Sequence, residues 1–257
     1  PPPPPPPPTT LLSSAASDVY KRQNPDYAMS ISVLGDLLSE MGEFESARKL
    51  HEQALAIRRQ AFGPRAQTVA WSLRSLGHVH RNQGEYAAAQ AFFQESAEIL
   101  EVAEGDHRHD LTVTLHSQAL VAMDSGDFEL ARDLMMRVMA IREEVLPPDH
   151  PDIAECLADS ARILFRLGEK DRPIDLTERA LSIYEQVFGH HHRRTVLTAG
   201  QLAVLEYFSG DEGSAVELYS RIRESQRGTD GAILEYLRGF PEFTAMEEGI
   251  GNLLDGG

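Results

Sequence analysis

"MGEFESA", residues 41–47, decides the fold, because the same phrase keeps returning. "QGEYAAA" stands at 83–89, "SGDFELA" at 125–131, "LGEKDRP" at 167–173 and "SGDEGSA" at 209–215. The glycines are Gly42, Gly84, Gly126, Gly168 and Gly210, each 42 residues beyond the last. A strict period of this length marks supersecondary units that cannot bury their apolar faces alone and must stack.

Working outward from the first glycine, both flanks read as helices. In "AMSISVLGDLLSEMG" (28–42), Ile31, Leu34, Leu38 and Met41 recur at three- and four-residue spacing and predict one apolar stripe. In "EFESARKLHEQALAIRRQAFG" (43–63), Phe44, Ala47, Leu50, Ala54 and Ile57 keep the same rhythm. Glycine tolerates the positive φ of a helix C-cap, and the acidic residue after it suits the next N-terminus. Small residues recur where two helices must approach closely: Gly35, Gly77, Ala119, Ala161 and Ala203 in the first helix, and Ala47, Ala89, Ala131 and Ala215 in the second. An aromatic follows the turn at Phe44, Tyr86 and Phe128.

Small residue, seven on a glycine, two on an aromatic, three on an alanine: this pattern resembles the tetratricopeptide repeat, whose usual period is 34. The additional residues fall after the second helix, in "FGPRAQTVA" (62–70), "EGDHRHDLT" (104–112), "LPPDHPDIA" (146–154) and "FGHHHRRTV" (188–196). A long second helix followed by such a loop is similar to the kinesin light chain type of repeat. The resemblance implies an all-α fold, a right-handed α-α superhelix (solenoid) of five helix-turn-helix tetratricopeptide-type repeats, at about 24–65, 66–107, 108–149, 150–191 and 192–227. Repeat four departs from the pattern with Lys170 and Pro173, and repeat five with Glu212. Pro173 is tolerable only in the first turn of its helix, and a looser joint is expected there. Beyond 227 the period fails, and residues 228–257 are expected to form a C-terminal cap or tail over the last repeat's apolar face.

Residues 1–23 have no period. Positions 13–23, "SSAASDVYKRQ", resemble a translated sequencing-library adapter, so 1–23 is read as a non-native tail and set aside. "NPDYA" at 24–28 aligns with "HPDIA" at 150–154, so the repeat text is expected to begin inside an inter-repeat loop, as in a fragment.

The chain carries a formal charge of −16 with 42% hydrophobic residues. Such acidity argues against wholesale binding to nucleic acid or to an anionic membrane, and no apolar run approaches the ~20 residues of a membrane span. A single cysteine, Cys156, admits no intramolecular disulfide, and a cytoplasmic location is expected. Ten histidines invite a metal reading, with "HHH" at 190–192, His107 and His109 in one loop and His150 in another. His150 and His192 share a repeat position, however, and repetition of the loop accounts for them. No metal, cofactor or catalytic residue is assigned: there is no Gly-x-Ser-x-Gly, no His-Glu-x-x-His and no phosphate-cradling loop.

In a stack of helix pairs the first helices line the concave side. The face they would present carries Trp71, Arg74, His78, Arg81 and Asn82 from repeat two, His116, Leu120 and Met123 from repeat three, and Arg162, Phe165 and Arg166 from repeat four. Repeat five would add Leu197, Gly200, Val204, Tyr207 and Phe208. Aromatic and arginine side chains dominate binding hot spots. This face therefore reads as a peptide-binding groove for a protein or peptide ligand, acidic and partly apolar. The competing reading makes Trp71 and Phe165 core residues and the arginines a solvated surface. The function expected is a non-enzymatic interaction scaffold. Two alternatives stand beside it: a regulatory or substrate-docking segment of a larger signalling protein (a kinase or a nucleotide-binding ATPase), and end-to-end self-association as a self-assembly module.

Overall fold

The computed structural model describes residues 24–226 and 232–255; the expected tail at 1–23 and the junction at 227–231 lie outside them. The chain divides into two compact units, Pro1–Ser125 and Gly126–Gly257. The first contains α1 (Pro25–Glu40), α2 (Phe44–Phe62), α3 (Gln67–Asn82), α4 (Tyr86–Val102) and α5 (Arg108–Ser125). The second contains α6 (Phe128–Val145), α7 (Pro151–Arg166), α8 (Asp171–Phe188), α9 (Arg193–Ser209), α10 (Glu212–Ser225), α11 (Ala232–Arg238) and α12 (Pro241–Asp255). No strand occurs among the described residues. Within the first unit α1 pairs with α2 and α3 with α4, while α3 also packs on α2 and α5 on α4. Within the second, α7 pairs with α8 and α9 with α10, α7 packs on α6 and α9 on α8, and α11 and α12 lie against α9.

The repeated glycine ends the first helix of each pair. Gly42 adopts φ +82°, and the next amide, Glu43 N–H, reaches back 2.8 Å to the Leu38 carbonyl. That long-range bond satisfies a carbonyl that the helix end would leave open, and it needs a left-handed residue before it. The acidic residue that follows can then cap the second helix: Asp127 Oδ1 accepts from Leu130 N–H at 3.1 Å, and Asp211 Oδ1 from Ser214 N–H at 3.0 Å.

The small residues mark the closest approach of each pair. A Cβ on Gly77 would lie 2.8 Å from the Phe93 ring, and one on Gly35 would lie 2.8 Å from the His51 imidazole. Ala119, Ala161 and Ala203 are fully buried, as are Ala47, Ala89, Ala131 and Ala215 on the facing helices. Pro173 is the third residue of α8, in the first turn, where its missing N–H breaks no helical bond.

The stripe expected along α1 holds only in part. Ile31 is buried, but Leu34 and Met41 are exposed and Leu38 half-buried; Ala28, Ile31, Ser32 and Gly35 form the buried side instead. Three- and four-residue spacing identifies an apolar face but not whether a neighbour covers all of it.

Buried polar side chains tie second helices to the first helices that follow. Arg58 of α2 donates from Nη1 to Ser72 Oγ of α3 at 2.5 Å. Arg142 of α6, two periods on, donates to the Asp152 carbonyl at 2.7 Å and lies 3.4 Å from Glu155 Oε2. It also reaches Cys156 Sγ at 3.1 Å. Burial pushes that thiol up to about 11 despite the arginine, so Cys156 is a protonated packing residue.

In the second unit Leu237 of α11 and Phe243, Met246 and Ile250 of α12 share a core with Val196, Ala199, Leu202 and Ala203 of α9 and Leu218, Tyr219 and Ile222 of α10. The C-terminal helices thus cover the apolar face of the last pair.

Candidate interaction surface

The first helices of the first unit meet through a ladder of side chains about one period apart. Trp71, in the first turns of α3, is 36% exposed, and its indole Nε1 donates 3.0 Å to Asp110 Oδ2 at the start of α5. Gln67 donates to the same oxygen at 2.6 Å, and Arg74 Nη1 stands 3.5 Å from Oδ1. Burial alone would raise the Asp110 pKa. The Gln67 and Trp71 hydrogen bonds and the Arg74 charge outweigh it and hold the carboxyl below its ordinary value. Asp110 is therefore ionised, and it fixes both the indole and the guanidinium.

Two turns along α3, His78 is half-buried, edge-on to the Phe93 ring at 5.0 Å and 3.4 Å from Ser117 Oγ. Burial, helped by the charges of Arg74 and Arg81, lowers its pKa to about 4, so it is neutral at physiological pH. Arg81 Nε donates to Asp124 Oδ2 of α5 at 2.6 Å, and Asn82 reaches Ser39 of α1 at 3.4 Å. On α5, His116 is buried and Leu120 and Met123 are half-buried. The face of this unit is thus an apolar and aromatic surface crossed by two arginine–aspartate pairs.

In the second unit Arg162 is exposed and pairs with Asp159 at 3.1 Å on its own helix. Phe165 is half-buried, its ring 6.0 Å from Phe208. Arg166 lies with its guanidinium 5.4 Å from the Phe128 ring centroid and is ion-paired to Glu242 of α12. The surface expected on repeat five is mostly covered: Leu197, Val204 and Tyr207 pack on the core that α11 and α12 complete, and a Cβ on Gly200 would lie 3.0 Å from Leu237, while Phe208 stays exposed. Most of that face is occupied by the chain's own C-terminal helices.

Neither side of the competing reading describes these residues fully. Trp71 and Phe165 are not core residues, since both keep solvent contact, and the four arginines are held in ion pairs. Asp110 and Gln67 were missed from sequence; Asp124 falls on the face expected of repeat three, but its pairing with Arg81 was not foreseen. Laying the repeats side by side reveals a signal, because Asp124 stands 43 residues after Arg81.

The loop histidines have a local task. His150 Nδ1 accepts from Asp152 N–H at 3.1 Å, and His192 Nδ1 from Arg194 N–H at 3.2 Å. Asn24 Oδ1 does the same for Asp26 N–H at 2.9 Å. All three are N-caps at one repeat position. Among the described residues no three His, Cys, Asp or Glu side chains gather as a metal site, and no helix is long and apolar enough to cross a membrane.

Comparison with solved structures agrees with this architecture. The chain is similar to a kinesin light chain-like protein of Podosopora anserina with nearly identical TPR-like repeats (20% identity, TM-score 0.68, covering 79% of this chain and 97% of that one). It is also similar to BtubC (BKLC) from P. vanneervenii (14% identity, TM-score 0.64, 82% and 89%) and to the apo form of RapI (15% identity, TM-score 0.68, 94% and 68%). At these identities the likeness is one of fold. No curated protein sequence matches the chain. A family model described as tetratricopeptide repeat matches residues 26–102 and 110–172, and a second with the same description matches 153–194. Those spans contain the glycine-capped first helices and the small-residue joints of four of the 42-residue units, and on that ground the chain belongs to the tetratricopeptide repeat family.

Proposed function

We propose that the chain is a non-enzymatic protein-interaction scaffold whose first-helix faces hold a short peptide or a partner domain. The observation that carries this reading is Trp71, an aromatic of an anchoring type kept 36% exposed while its N–H and the neighbouring Arg74 are fixed by Asp110. A side chain held this way loses little conformational freedom when a ligand covers it, which favours affinity. The ligand class is acidic and partly apolar. A carboxylate can share Arg74 or Arg81 with its aspartate, because a guanidinium has five donors, while Leu120 and Met123 receive an apolar side chain. In the second unit Arg162 and Phe165 offer the same pairing of charge and aromatic surface.

A peptide array tests the proposal, with wild-type chain compared with W71A and with the double change Arg74→Glu, Arg162→Glu. The wild type is expected to select acidic peptides with one apolar anchor, at affinities near the micromolar range, about −8 kcal/mol. W71A is expected to weaken all of them, and the charge reversal to shift selection towards basic peptides, with circular dichroism unchanged. Identical selection by all three proteins overturns the reading.

A further inference from the structure

Two columns of the 42-residue repeat hold branched aliphatic side chains in every helix pair except α9–α10. In the first helices the column reads Ile31, Leu73, Leu115 and Leu157, all buried, and then Ala199. In the second helices it reads Ile57, Ile99, Ile141 and Ile183, and then Ser225. The two columns meet inside one joint: Ile31 shares a core with Ile57 in α1–α2, and Leu157 with Ile183 in α7–α8. The α9–α10 pair therefore lacks one leucine-sized and one isoleucine-sized side chain at positions that pack together in its sister pairs. Such joints are ordinarily close-packed, and aliphatic groups removed without replacement leave a space that costs stability.

A cavity of about 400 Å³ stands at that place, with Val196, Ala199, Ile222 and Ser225 among its lining residues. This volume is in the range of ligand sites. Polar groups complete the lining. Glu185 Oε1 accepts from Arg221 at 2.7 Å and lies 3.1 Å from His190 Nδ1. His191 lines the cavity too, so the histidine run whose third member caps α9 brings its first two members here. The Thr195 and Ser225 hydroxyls donate to the Gly189 and Ile222 carbonyls, each at 2.8 Å, which leaves both oxygens able to accept.

These groups select the occupant. The sister pairs hold leucine and isoleucine side chains at the two positions, so a branched aliphatic group fits the space. Hydroxyl acceptors beside the Arg221 donors suit the N–H and C=O groups of a peptide backbone. An anionic lipid tail suits the site less well, because Glu185 and Glu224 set two carboxylates against one guanidinium among the lining residues. We infer that the cavity between α9 and α10 is a pocket for a leucine- or isoleucine-type side chain of a partner polypeptide, whose backbone lies against Thr195, Ser225 and Arg221. The pocket shares no residue with the first-helix face described above and stands or falls independently of it.

N-acetyl-leucine N-methylamide, a capped leucine, is a suitable probe, with capped alanine as its control. Titrated into the full chain and followed by methyl NMR, capped leucine is expected to shift the Val196 and Ile222 signals saturably, with a Kd in the millimolar range. Capped alanine is expected to bind about tenfold or more weakly. Ala199→Leu with Ser225→Ile restores the side chains of the sister pairs. This double change is expected to raise the melting midpoint by filling the space and to abolish the shifts. Ala199→Leu alone is expected to weaken capped leucine about tenfold or more. Equal binding of the two probes, or a double variant that binds capped leucine as the wild type does, overturns the proposal. A lowered melting midpoint in the double variant also overturns it, since the space would then not be the one the sister pairs fill. Tighter binding of octanoate at the same methyl groups overturns it in favour of a fatty anion.

Discussion

The Trp71 indole and the Asp110 carboxylate, 39 residues apart in sequence, are joined by a 3.0 Å hydrogen bond in which Nε1 donates to Oδ2. This bond makes Asp110 a competitor of any ligand carboxylate for Arg74. Asp110→Asn keeps the shape, removes the charge and frees Arg74. Acidic peptides are expected to bind about threefold or more tightly to D110N, with neutral peptides unaffected. Stability is expected to fall by about 1 kcal/mol. The Asp110 pKa is depressed in the folded state, so its contribution is present above the ordinary carboxylate pKa and lost as pH falls through the folded value. Denaturant titrations at neutral pH and at a pH well below the ordinary carboxylate range should therefore separate wild type from D110N at the first pH and bring them together at the second.

His78 should titrate far from an ordinary histidine. Its pKa of about 4 lies below the unfolded value, so the unfolded chain binds a proton first as pH falls. The stabilisation it gives is complete above about pH 6.5 and is lost between there and about pH 4. The loss is at most about 3 kcal/mol, reduced by the screening its solvent-facing edge receives. An NMR titration of the imidazole carbons should show the midpoint near 4, and His78→Gln should flatten the stability profile across that interval. A midpoint near 6.5 would contradict the packing against Phe93.

Gly77→Ala is expected to cost about 1–3 kcal/mol, because the new Cβ must displace the Phe93 ring from a 2.8 Å approach. Phe93→Leu alone should also destabilise, by opening a void. The double variant is expected to be more stable than the sum of the two losses predicts, since the smaller side chain makes room for the methyl. Chemical denaturation of the four proteins measures this coupling, and strict additivity would show that the joint does not depend on the pair.

His150 and His192 are predicted to act as helix caps. Replacing either by Ala should cost about 1 kcal/mol, and replacing it by Asn, which stands at the same repeat position as Asn24, should restore most of the loss. Each Nδ1 accepts a backbone N–H of the first turn. Thermal melts of H150A and H150N decide the matter, and an H150A midpoint equal to that of the wild type would show that the cap is idle.

Features set within one repeat were legible in the sequence. Gly42 and its successors, the joint alanines and the first-turn place of Pro173 follow from local backbone rules, and the structure has each of them. Features set between repeats were not. Leu34 and Leu76 occupy the same position in the same pattern, yet one is exposed and the other buried, because burial belongs to the neighbour as much as to the residue. Arg74 and Arg81 looked like open cations for the same reason: their partners, Asp110 and Asp124, lie on another first helix. The repeat-five face was mislaid because Leu237 and Phe243 sit beyond the last periodic residue.

The manner in which α12 closes the last pair has a dynamic consequence. Gly249 lies in the helix where a Cβ would overlap the Tyr207 hydroxyl, and Gly251 follows within the same turn. Each glycine makes the helix less favourable by about 1 kcal/mol relative to alanine, so the helix draws its stability from Phe243, Met246 and Ile250 against the second unit's core. Fraying from this end is therefore expected to release α12 before it disturbs the α9–α10 pair, and amide hydrogen exchange should find α12 the less protected of the two.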